Sequence, residues 1–338
     1  MVAQLFPCDI HGLLIRNISF AVELLALIET SNLFNMKHRS YSVPKLCSLM
    51  LLFSLSSALD CLYGHDKSFD WDMSKDNKSD REEMKKLAKA LHFQEWHANE
   101  NWDMLMSDEK SMCDIDNVCC EKMQDGSNRI SELKLERNNL KGRIPDTFYR
   151  LSNAKIVEFH LNFVTNFPDK LDQMPQLRQA KFGRNPICGQ LPKWKFGPQL
   201  TKVNCNFCCL EGNFPDIFYN LPLLEESYWD GNAFTGSLPE SLNNLTGLTK
   251  VSFNLNSFTG KIPEKFCALP LLTDCRIGSD TNFDPYDTSK NSPERAWLFK
   301  NGKPIWQGNI FECPIPDTCK IGACRTNASM PTSPIKCS

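Results

Sequence analysis

Few side chains in this sequence have the type and spacing of a catalytic or metal-binding group. His160 could act as a general base, but no serine, cysteine or aspartate stands in an evident catalytic arrangement with it. His92 and His97 are five residues apart and do not share a helical face, so surface or packing roles are the default. The motifs G-x-S-x-G and H-E-x-x-H and a phosphate-binding glycine loop are absent. We therefore expect no enzyme, no cofactor and no metal.

Cysteine is the residue whose chemistry stands out, with 16 copies in the chain. They occur as singles and doublets, and no pair of C-x-x-C knuckles has zinc-finger spacing, so disulfides are favoured over a metal. Cys205, Cys208 and Cys209 could suggest a metal cluster. We instead interpret these three cysteines as core residues together with a disulfide partner, and Cys188, one turn away, is the candidate for the other half of that disulfide. The connectivity stays open, and the predicted disulfide cysteines are Cys113, Cys119, Cys120, Cys188, Cys209, Cys313, Cys319, Cys324 and Cys337.

A secretory signal predicts that these cysteines reach an oxidising compartment. Residues 36–39 are basic, residues 46–55 are apolar, and Ser56-Ser57-Ala58 is a small-residue cleavage site, which together indicate a signal peptide at 36–58. We interpret residues 1–35 as a non-native upstream extension. The alternative is that Gly12–Ile28 acts as a poor membrane segment, which its polar and charged residues disfavour.

The remaining composition narrows the class of partner. Sequons at Asn77, Asn244 and Asn327 gain weight as glycosylation sites because a secretory signal precedes them. No apolar run of membrane-spanning length follows the signal, so we expect no membrane span in the mature chain. The formal net charge is −2, whereas nucleic-acid binders usually show a strongly basic face. We therefore expect an extracellular partner that is not a nucleic acid.

Repeats are the elements that would position all of these residues. The unit L-x-L-x-x-N-x-L, followed by an I-P turn, occurs six times, and the turn prolines at 145, 168, 192, 215, 239 and 263 are 23 or 24 residues apart. A degenerate seventh copy contains Cys275, Ile277 and Asp280. Since one unit cannot bury its own apolar face, this period predicts a solenoid stabilised by stacked neighbours. The asparagines should form a ladder at the bends.

The repeats divide the mature chain into three parts. We predict an acidic N-terminal capping region at 59–128, leucine-rich repeats at 129–290 and a cysteine-rich C-terminal cap or tail at 291–338. In the first part, Ser79–Leu91 predicts a helix that begins with a capping box of Ser79 and Glu82. Its apolar face would comprise Met84, Leu87 and Leu91.

The candidate binding surface consists of the positions that face outward between the scaffold residues. Solenoids usually bind through an extended concave face, and exposed aromatic, arginine and apolar side chains often anchor interfaces. For any single position, ordinary solvated surface is the simpler alternative. The register predicts these partner-binding residues: Lys134, Arg137, His160, Leu161, Lys181, Arg184, Asn206, Phe207, Tyr228, Asp230, Asn254 and Leu255.

The stretch from Gly236 to Pro263, with its leucines, Asn256 and I-P turn in register, resembles the plant-type leucine-rich repeat. The resemblance covers about residues 95–290 and extends to receptor-like proteins and polygalacturonase-inhibiting proteins. Trp102 and the doublet Cys119-Cys120 stand where that family has its N-terminal cap. The Trp and the Gly-Val-x-Cys that usually follow the doublet are missing, so the chain is a divergent member.

This resemblance implies a leucine-rich repeat solenoid of about seven repeats. Short parallel strands would form the concave face, and 3-10 or irregular segments the convex side, between a helical N-terminal cap and a cysteine-containing C-terminal cap. It also implies a secreted module that recognises a protein or cell-wall polysaccharide, such as a hydrolase inhibitor or a defence protein. The alternatives are an extracellular structural or carbohydrate-binding wall protein, and an enzyme whose catalytic groups lie outside the repeats.

Overall fold

The computed structural model describes residues 71–99, 101–168, 170–191, 196–278, 293–300, 303–321, 324 and 336–337. Several predictions lie outside the described residues, namely the signal peptide at 36–58, the extension at 1–35, the alternative segment Gly12–Ile28, Asp280 and the sequon at Asn327. Within the described ranges, no helix is both long enough and apolar enough to cross a membrane.

The described part of the chain contains short helices and many short strands. The α-helices are α1 (Lys78–Ala90), α2 (Trp102–Met106) and α3 (Asp317–Ile321). The strands are β1 (Val118–Lys122), β2 (Asn128–Lys134), β3 (Lys141–Gly142), β4 (Ile156–Glu158), β5 (Phe163–Val164), β6 (Gln179–Lys181), β7 (Gly189–Gln190), β8 (Lys202–Asn204), β9 (Leu210–Asn213), β10 (Glu226–Tyr228), β11 (Ala233–Thr235), β12 (Lys250–Ser252), β13 (Asp274–Arg276), β14 (Phe299–Lys300), β15 (Lys303–Pro304), β16 (Ile310–Phe311) and β17 (Lys336–Cys337).

One long sheet confirms the predicted leucine-rich repeat solenoid. Among the described residues, its strands run in the order β1-β2-β4-β6-β8-β10-β12-β13, and only β1 is antiparallel to its neighbour. The register repeats from turn to turn, since Ser227 stands opposite Val203 on one side and Val251 on the other. Four segments on the return path are 3-10 turns at Phe148–Arg150, Leu171–Gln173, Glu240–Asn244 and Phe266–Ala268, and a further 3-10 segment at Pro293–Leu298 belongs to the C-terminal segment. This sheet is the predicted concave face.

A second row of short parallel strands follows the bends. In the described part, β7, β9 and β11 form one sheet, and β3 pairs with β5. The I-P turns come next, and the glycine of each turn takes a positive φ, for example 74° at Gly236 and 68° at Gly260. Only glycine adopts such a φ without strain, as the sequence predicts. In the second repeat Asn166 replaces this glycine, and its buried amide accepts a hydrogen bond from Ile144 N at 2.7 Å.

The asparagine ladder forms as predicted and links each turn to its neighbours. Asn256 illustrates the pattern: its Nδ2 donates to the carbonyls of Trp229 and Phe253, each at 3.0 Å, and its Oδ1 accepts from Phe234 N at 3.1 Å. Asn138, Asn162, Asn185 and Asn232 are also buried, with at most 2% of each residue exposed. Each amide therefore satisfies backbone groups that no water can reach.

The fourth repeat lacks this amide because Cys208 stands in its place. In the next repeat Asn232 keeps the usual hydrogen bonds of the ladder, and its Oδ1 accepts from Leu210 N at 2.9 Å. On the other side, Ile187 N donates to the main-chain carbonyl of Asn185 at 2.8 Å instead of to a side-chain amide. Cys208 is bonded to Cys205, so both residues, which we predicted only as core positions, form a disulfide.

The C-terminal segment supplies the next rung of the ladder. Asn309 is fully buried, and its Oδ1 accepts from Phe258 N at 3.0 Å. Its Nδ2 donates to the carbonyls of Phe253, Ile277 and Gly278 at 3.0, 3.2 and 3.2 Å. Asn309, which is 53 positions after Asn256, thus forms the rung that the repeat period predicts for Asp280.

Helix α1 begins two residues earlier than predicted. Its N-cap is Asn77, whose side chain accepts from Asp80 N at 3.2 Å, whereas Ser79 and Glu82 are exposed. The predicted capping box of Ser79 and Glu82 is therefore wrong. Asparagine caps a helix as well as serine does, and this earlier start places Asp80 in the first turn. The predicted apolar face is confirmed, because Met84, Leu87 and Leu91 are fully buried.

Buried ion pairs fasten α1 to the first repeat. Asp80 is fully buried and accepts from Arg129 Nε and Nη2 at 2.8 and 3.0 Å, and from Ile130 N at 3.0 Å. Asp76 accepts from Arg81 at 2.8 Å and also receives hydrogen bonds from the Ser111–Met112 segment. Desolvated carboxylates like these are stable only when every lone pair has a donor.

Five disulfides join described residues: Cys113–Cys120, Cys188–Cys209, Cys205–Cys208, Cys267–Cys319 and Cys275–Cys324. Cys119 and Cys313 are also disulfide-bonded, and the side chain of Cys337 lies outside the described part. Cys267 and Cys275 were not predicted as bonded. Their two bridges attach the C-terminal segment to the last two turns, and they indicate an oxidising environment.

We predict that Asn309→Ala lowers the free energy of unfolding by about 2–4 kcal/mol, since several buried backbone groups lose their partner. Urea unfolding followed by circular dichroism measures this. Gln307→Ala is the matched control, because that side chain is exposed on the same segment and should leave stability within about 0.5 kcal/mol. Equal stability of the two variants would contradict the rung assigned to Asn309.

We also predict that Asp80→Ala destabilises the fold by about 2–4 kcal/mol, because it leaves the half-buried Arg129 and the buried Ile130 N–H without their partner. The same unfolding experiment applies. Asp125→Ala, an exposed turn residue, serves as the control with an expected change under about 1 kcal/mol. A loss at Asp80 no larger than the loss at Asp125 would refute this account of the cap.

Candidate functional site

The structure divides the predicted binding residues into three groups. Six are half-buried on the open concave face, namely Lys134, His160, Lys181, Asn206, Tyr228 and Asp230. Three line a pocket at the edge of the sheet and keep some exposure, namely Arg137, Leu161 and Arg184. The other three are buried, namely Phe207, Asn254 and Leu255.

Ion pairs within one strand and between neighbouring strands neutralise the lysines of the concave face. Lys134 Nζ lies 2.6 Å from Glu132 Oε2, and Lys181 pairs with Glu158 on the neighbouring strand. Further along the sheet, Glu226 receives both Lys202 and Lys250. These lysines are thus already paired with carboxylates, and the face presents a polar surface of balanced charge.

His160 lies among these pairs as a neutral imidazole. Its Nε2 is 3.2 Å from Glu136 Oε2, and its Nδ1 is buried without a hydrogen-bond partner. Burial lowers the pKa of His160 to about 4, and the charges of Lys181 and two arginines act in the same direction, whereas Glu158 opposes them. The ring is therefore uncharged at neutral and mildly acidic pH.

The carboxylates around His160 could in principle hold a metal ion. Glu136, Glu158 and His160 place potential ligand atoms within 4.8 Å of one another. Burial opposes ionisation of Glu158, but the hydrogen bond and charge of Lys181 outweigh it and lower the Glu158 pKa. Burial, and then the charge of Glu158, raises the pKa of Glu136. Because Glu158 already forms an ion pair with Lys181, we assign no metal to this group. The expected absence of a metal stays a prediction.

Asn206, Tyr228 and Asp230 occupy the middle of the concave face. The side chains of Asn206 and Asn204 pack over Gly183, where an added Cβ would lie 2.1 Å from Asn206 Oδ1 and 2.4 Å from Asn204 Oδ1. Tyr228 Oη donates to Glu226 at 3.1 Å, and burial raises the pKa of the phenol. Burial also raises the pKa of Asp230 to about 6.

Phe207, Asn254 and Leu255 do not face solvent, so the prediction that they form an exposed partner surface is wrong. Phe207 is 2% exposed, Asn254 5% and Leu255 0%. The side chain of Asn254 lies against the sheet, where its Oδ1 accepts a hydrogen bond from Ser252 Oγ at 2.6 Å. The two apolar residues are covered by the C-terminal segment of the same chain, which the repeat register does not include.

This covering segment packs an apolar cluster onto the edge of the sheet. Phe207 and Leu255 pack with Leu298 and Trp306, and Trp297 and Ile305 lie against them. The Trp306 ring meets Phe207 edge-on at 6.1 Å, and Trp297 Nε1 donates to the Phe207 carbonyl at 3.3 Å. Within this segment, β14 and β15 form an antiparallel pair, and Phe299 of β14 also packs against the cluster.

The residue before each ladder position has a left-handed backbone, which directs its side chain to the edge. The φ is 51° at Arg137, 59° at Leu161, 60° at Arg184, 53° at Phe207 and 52° at Leu255. The register places these residues on the concave face, but a left-handed residue leaves the alternation of a strand. At Gly231 in the same column, a Cβ would lie 2.3 Å from the Phe207 ring, so the ring needs glycine there.

The edge pocket lies between the N-terminal cap, the first four repeats and the C-terminal segment. Its volume is about 270 Å3, and its lining residues are His97, Arg137, Asn139, Leu161, Asn162, Phe163, Arg184, Phe207, Trp297 and Leu298. Sequence reasoning missed the contributions of His97, Phe163, Trp297 and Leu298. The signal that was available is the pair Trp297 and Trp306, two large aromatic residues in a segment without repeats.

The two described sequons differ in accessibility. Asn244 is exposed on a 3-10 turn of the return path. Asn77 is half-buried, and its amide oxygen caps α1. Glycosylation at both stays a prediction, with Asn244 the more accessible acceptor.

Solved structures share this fold. A plant ice-binding protein is similar at 20% identity and a TM-score of 0.51, over 70% of this chain and 73% of that protein. The Arabidopsis receptor kinase HAESA, solved with the peptide hormone IDA and the co-receptor SERK1, is similar at 18% identity and a TM-score of 0.50, over 60% of this chain and 34% of that one. At these identities the likeness establishes the leucine-rich repeat fold.

The chain spans about a third or less of several of the receptor structures that it matches. In the structure of PEPR1 with AtPEP1, which is 19% identical with a TM-score of 0.49, the match covers 60% of this chain and 28% of that chain. No protein-family model matches the chain, and no curated protein matches it.

We predict that the imidazole of His160 titrates with a pKa near 4, which NMR of its ring protons measures. The unfolded state takes up the proton first as pH falls, because its pKa is close to 6.5. The contribution of His160 to stability is therefore complete above about pH 6.5 and is lost between about pH 6.5 and 4. Stability of His160→Gln should vary less across this window. A measured pKa near 6.5 would contradict the buried, neutral ring.

Proposed function

We propose that this chain is a secreted ligand-binding module that recognises a protein or a cell-wall polysaccharide on its open concave face. The six half-buried residues of that face, from Lys134 to Asp230, would contact the ligand. A hydrolase inhibitor or a defence-related recognition protein is the finer form of this proposal. The mature chain would begin after residue 58, with the N-terminal cap at 59–128, repeats at 129–290 and the C-terminal cap at 291–338.

One observation carries the proposal. The side chains that build the coil recur at the same positions in each turn. The outward residues differ in chemistry from one turn to the next, and His160, Lys181, Asn206 and Tyr228 follow no period. Fixed polar groups on rigid strands, with their charges balanced by neighbours, suit recognition of a polar ligand. HAESA, which shares the fold, binds a peptide hormone, and this supports a peptide or protein partner for the present chain.

Enzymatic function has less support. His160 is paired with Glu136, and no serine or cysteine nucleophile stands beside it among the described residues. The absence of enzymatic activity stays a prediction, and the test below concerns binding.

The test compares partner capture by two matched double variants of the secreted protein. Asn206→Arg with Tyr228→Ala alters the concave face, and Asn220→Arg with Tyr219→Ala makes the same two changes at exposed residues of the return path. We expect the concave variant to bind a partner captured from extracellular fluid at least about tenfold more weakly, as for the loss of an interface anchor. The control should bind as the wild type does.

Equal binding by the concave variant and the wild type would overturn the proposal. Binding to wall glycans in the absence of any captured protein would favour the carbohydrate-binding wall protein instead. Thermal unfolding of both variants must match the wild type, so that loss of binding is not loss of fold.

A further inference from the structure

The bend of the fourth repeat, residues 205–208, departs from the repeat pattern at two positions at once. Cys208 stands where the other five complete repeats have the ladder asparagine. Cys205 stands three residues earlier, where the other repeats have a large apolar side chain, namely Leu135, Phe159, Phe182, Trp229, Phe253 or Ile277. The two cysteines are bonded to each other. Both departures therefore serve one link across the fourth bend.

This disulfide joins the same two positions that the amide joins in the other turns. Asn185 Nδ2 donates to the carbonyl of Phe182, three residues earlier, at 2.8 Å. Asn256 Nδ2 makes the same bond to the carbonyl of Phe253 at 3.0 Å. Each of these hydrogen bonds closes its own bend. In the fourth repeat the bond between Cys205 and Cys208 closes the bend instead, so it is a covalent rung of the ladder.

The other function of a rung, the link to the preceding turn, requires a proton on Cys208. Its Sγ lies 3.5 Å from the carbonyl oxygen of Phe182, the group to which a ladder amide at this position would donate. A disulfide sulfur has no proton to donate, whereas a thiol S–H is a weak donor. Reduction thus exchanges a covalent bond within the bend for a weak hydrogen bond to the preceding turn.

The residues between the two cysteines connect the concave face to the C-terminal segment. Asn206 belongs to the open concave face, and its carbonyl accepts from Arg184 N at 2.7 Å. Phe207 has a left-handed backbone, donates from its N–H to the Asp230 carbonyl at 2.8 Å, and packs against Trp306. A bend that opens between the cysteines therefore disturbs both surfaces.

We propose that the bond between Cys205 and Cys208 is a redox-sensitive fastening of the fourth bend. When it is reduced, the backbone at Asn206 and Phe207 opens more often, because the small ring that restricts it is gone. The neighbouring bends stay closed, since Asn185 and Asn232 hold them through their amides. The proposal does not depend on which ligand the concave face binds.

The reductant is a dithiol, and the exchange is balanced. A thiolate of the reductant attacks one sulfur of the disulfide, which gives a mixed disulfide and releases the other cysteine as a thiol. The second thiol of the reductant then displaces the bound cysteine and leaves as a cyclic disulfide. Two electrons and two protons pass to Cys205 and Cys208. Both cysteines are fully buried, so the attack requires local opening of the bend.

Native-state hydrogen exchange with and without dithiothreitol tests the proposal. Phe207 N reports on the fourth bend, and Leu161 N, which donates to the Gly183 carbonyl at 3.0 Å, reports on the equivalent position of the second bend. We expect dithiothreitol to accelerate exchange at Phe207 N about tenfold and at Leu161 N less than about twofold. Equal acceleration at both amides, or none at Phe207 N, would overturn the proposal.

Two double variants assign the effect to one disulfide. Cys205→Ser with Cys208→Ser removes the rung, and Cys188→Ser with Cys209→Ser removes the neighbouring disulfide. Without dithiothreitol, the first variant should exchange Phe207 N about tenfold faster than the wild type, and the second within about twofold. Dithiothreitol should accelerate Phe207 N further only in the second variant. The same acceleration in both variants would refute the assignment.

A third variant separates loss of the rung from damage to the core. Cys205→Leu with Cys208→Asn rebuilds the pair that the first repeat has in Leu135 and Asn138. Its Phe207 N should exchange within about twofold of the oxidised wild type, and dithiothreitol should not change this rate. Rapid exchange in this variant would contradict the covalent rung. Because Asn206 and Tyr228 are unchanged, partner capture by the same variant reports on the concave face separately.

Discussion

Every turn of this coil must satisfy the backbone groups at its bend, and the asparagine ladder does so. The amides of Asn256 and Asn232 each hold two carbonyls and at least one N–H that are out of reach of water. An unsatisfied buried polar group costs about 1–3 kcal/mol, so a missing rung is expensive. This requirement explains why the repeat length hardly varies, and why the gap at Cys208 is accompanied by a changed hydrogen bond at Ile187.

The same requirement shapes the C-terminal end and, through it, the candidate pocket. The last turn needs an amide, and Asn309 provides it from a segment bridged to the repeats by Cys267–Cys319 and Cys275–Cys324. Once Asn309 is in place, the preceding residues lie along the edge of the sheet. There Trp297 and Trp306 cover Phe207, and Trp297 closes the pocket that contains Arg137 and Arg184. The C-terminal segment thus forms one wall of the pocket as well as a shield for the core.

The sequence predicts the coil well because each repeat is a local pattern whose period fixes its neighbours. The ladder, the positive φ of Gly236 and the apolar face of α1 all follow from residue types at fixed spacing. The site is predicted less well for two physical reasons. The residue before each rung has a left-handed backbone, so its side chain does not follow the in-and-out alternation of a strand. The side chains of Arg137 and Phe207 therefore lie at the edge of the sheet. The burial of Leu255 depends on a contact with Leu298 and Trp306, more than 40 residues away, which no period encodes.

The central claim is that the asparagine ladder extends from the repeats into the C-terminal segment, where Asn309 forms its last rung and fixes the wall of the edge pocket. Native-state hydrogen exchange of two amides tests it most directly: Phe234 N donates to Asn256, and Phe258 N donates to Asn309. The account predicts that both amides exchange only through global unfolding, with similar free energies of opening. Rapid exchange of Phe258 N beside a protected Phe234 N would show a frayed last turn and contradict the account.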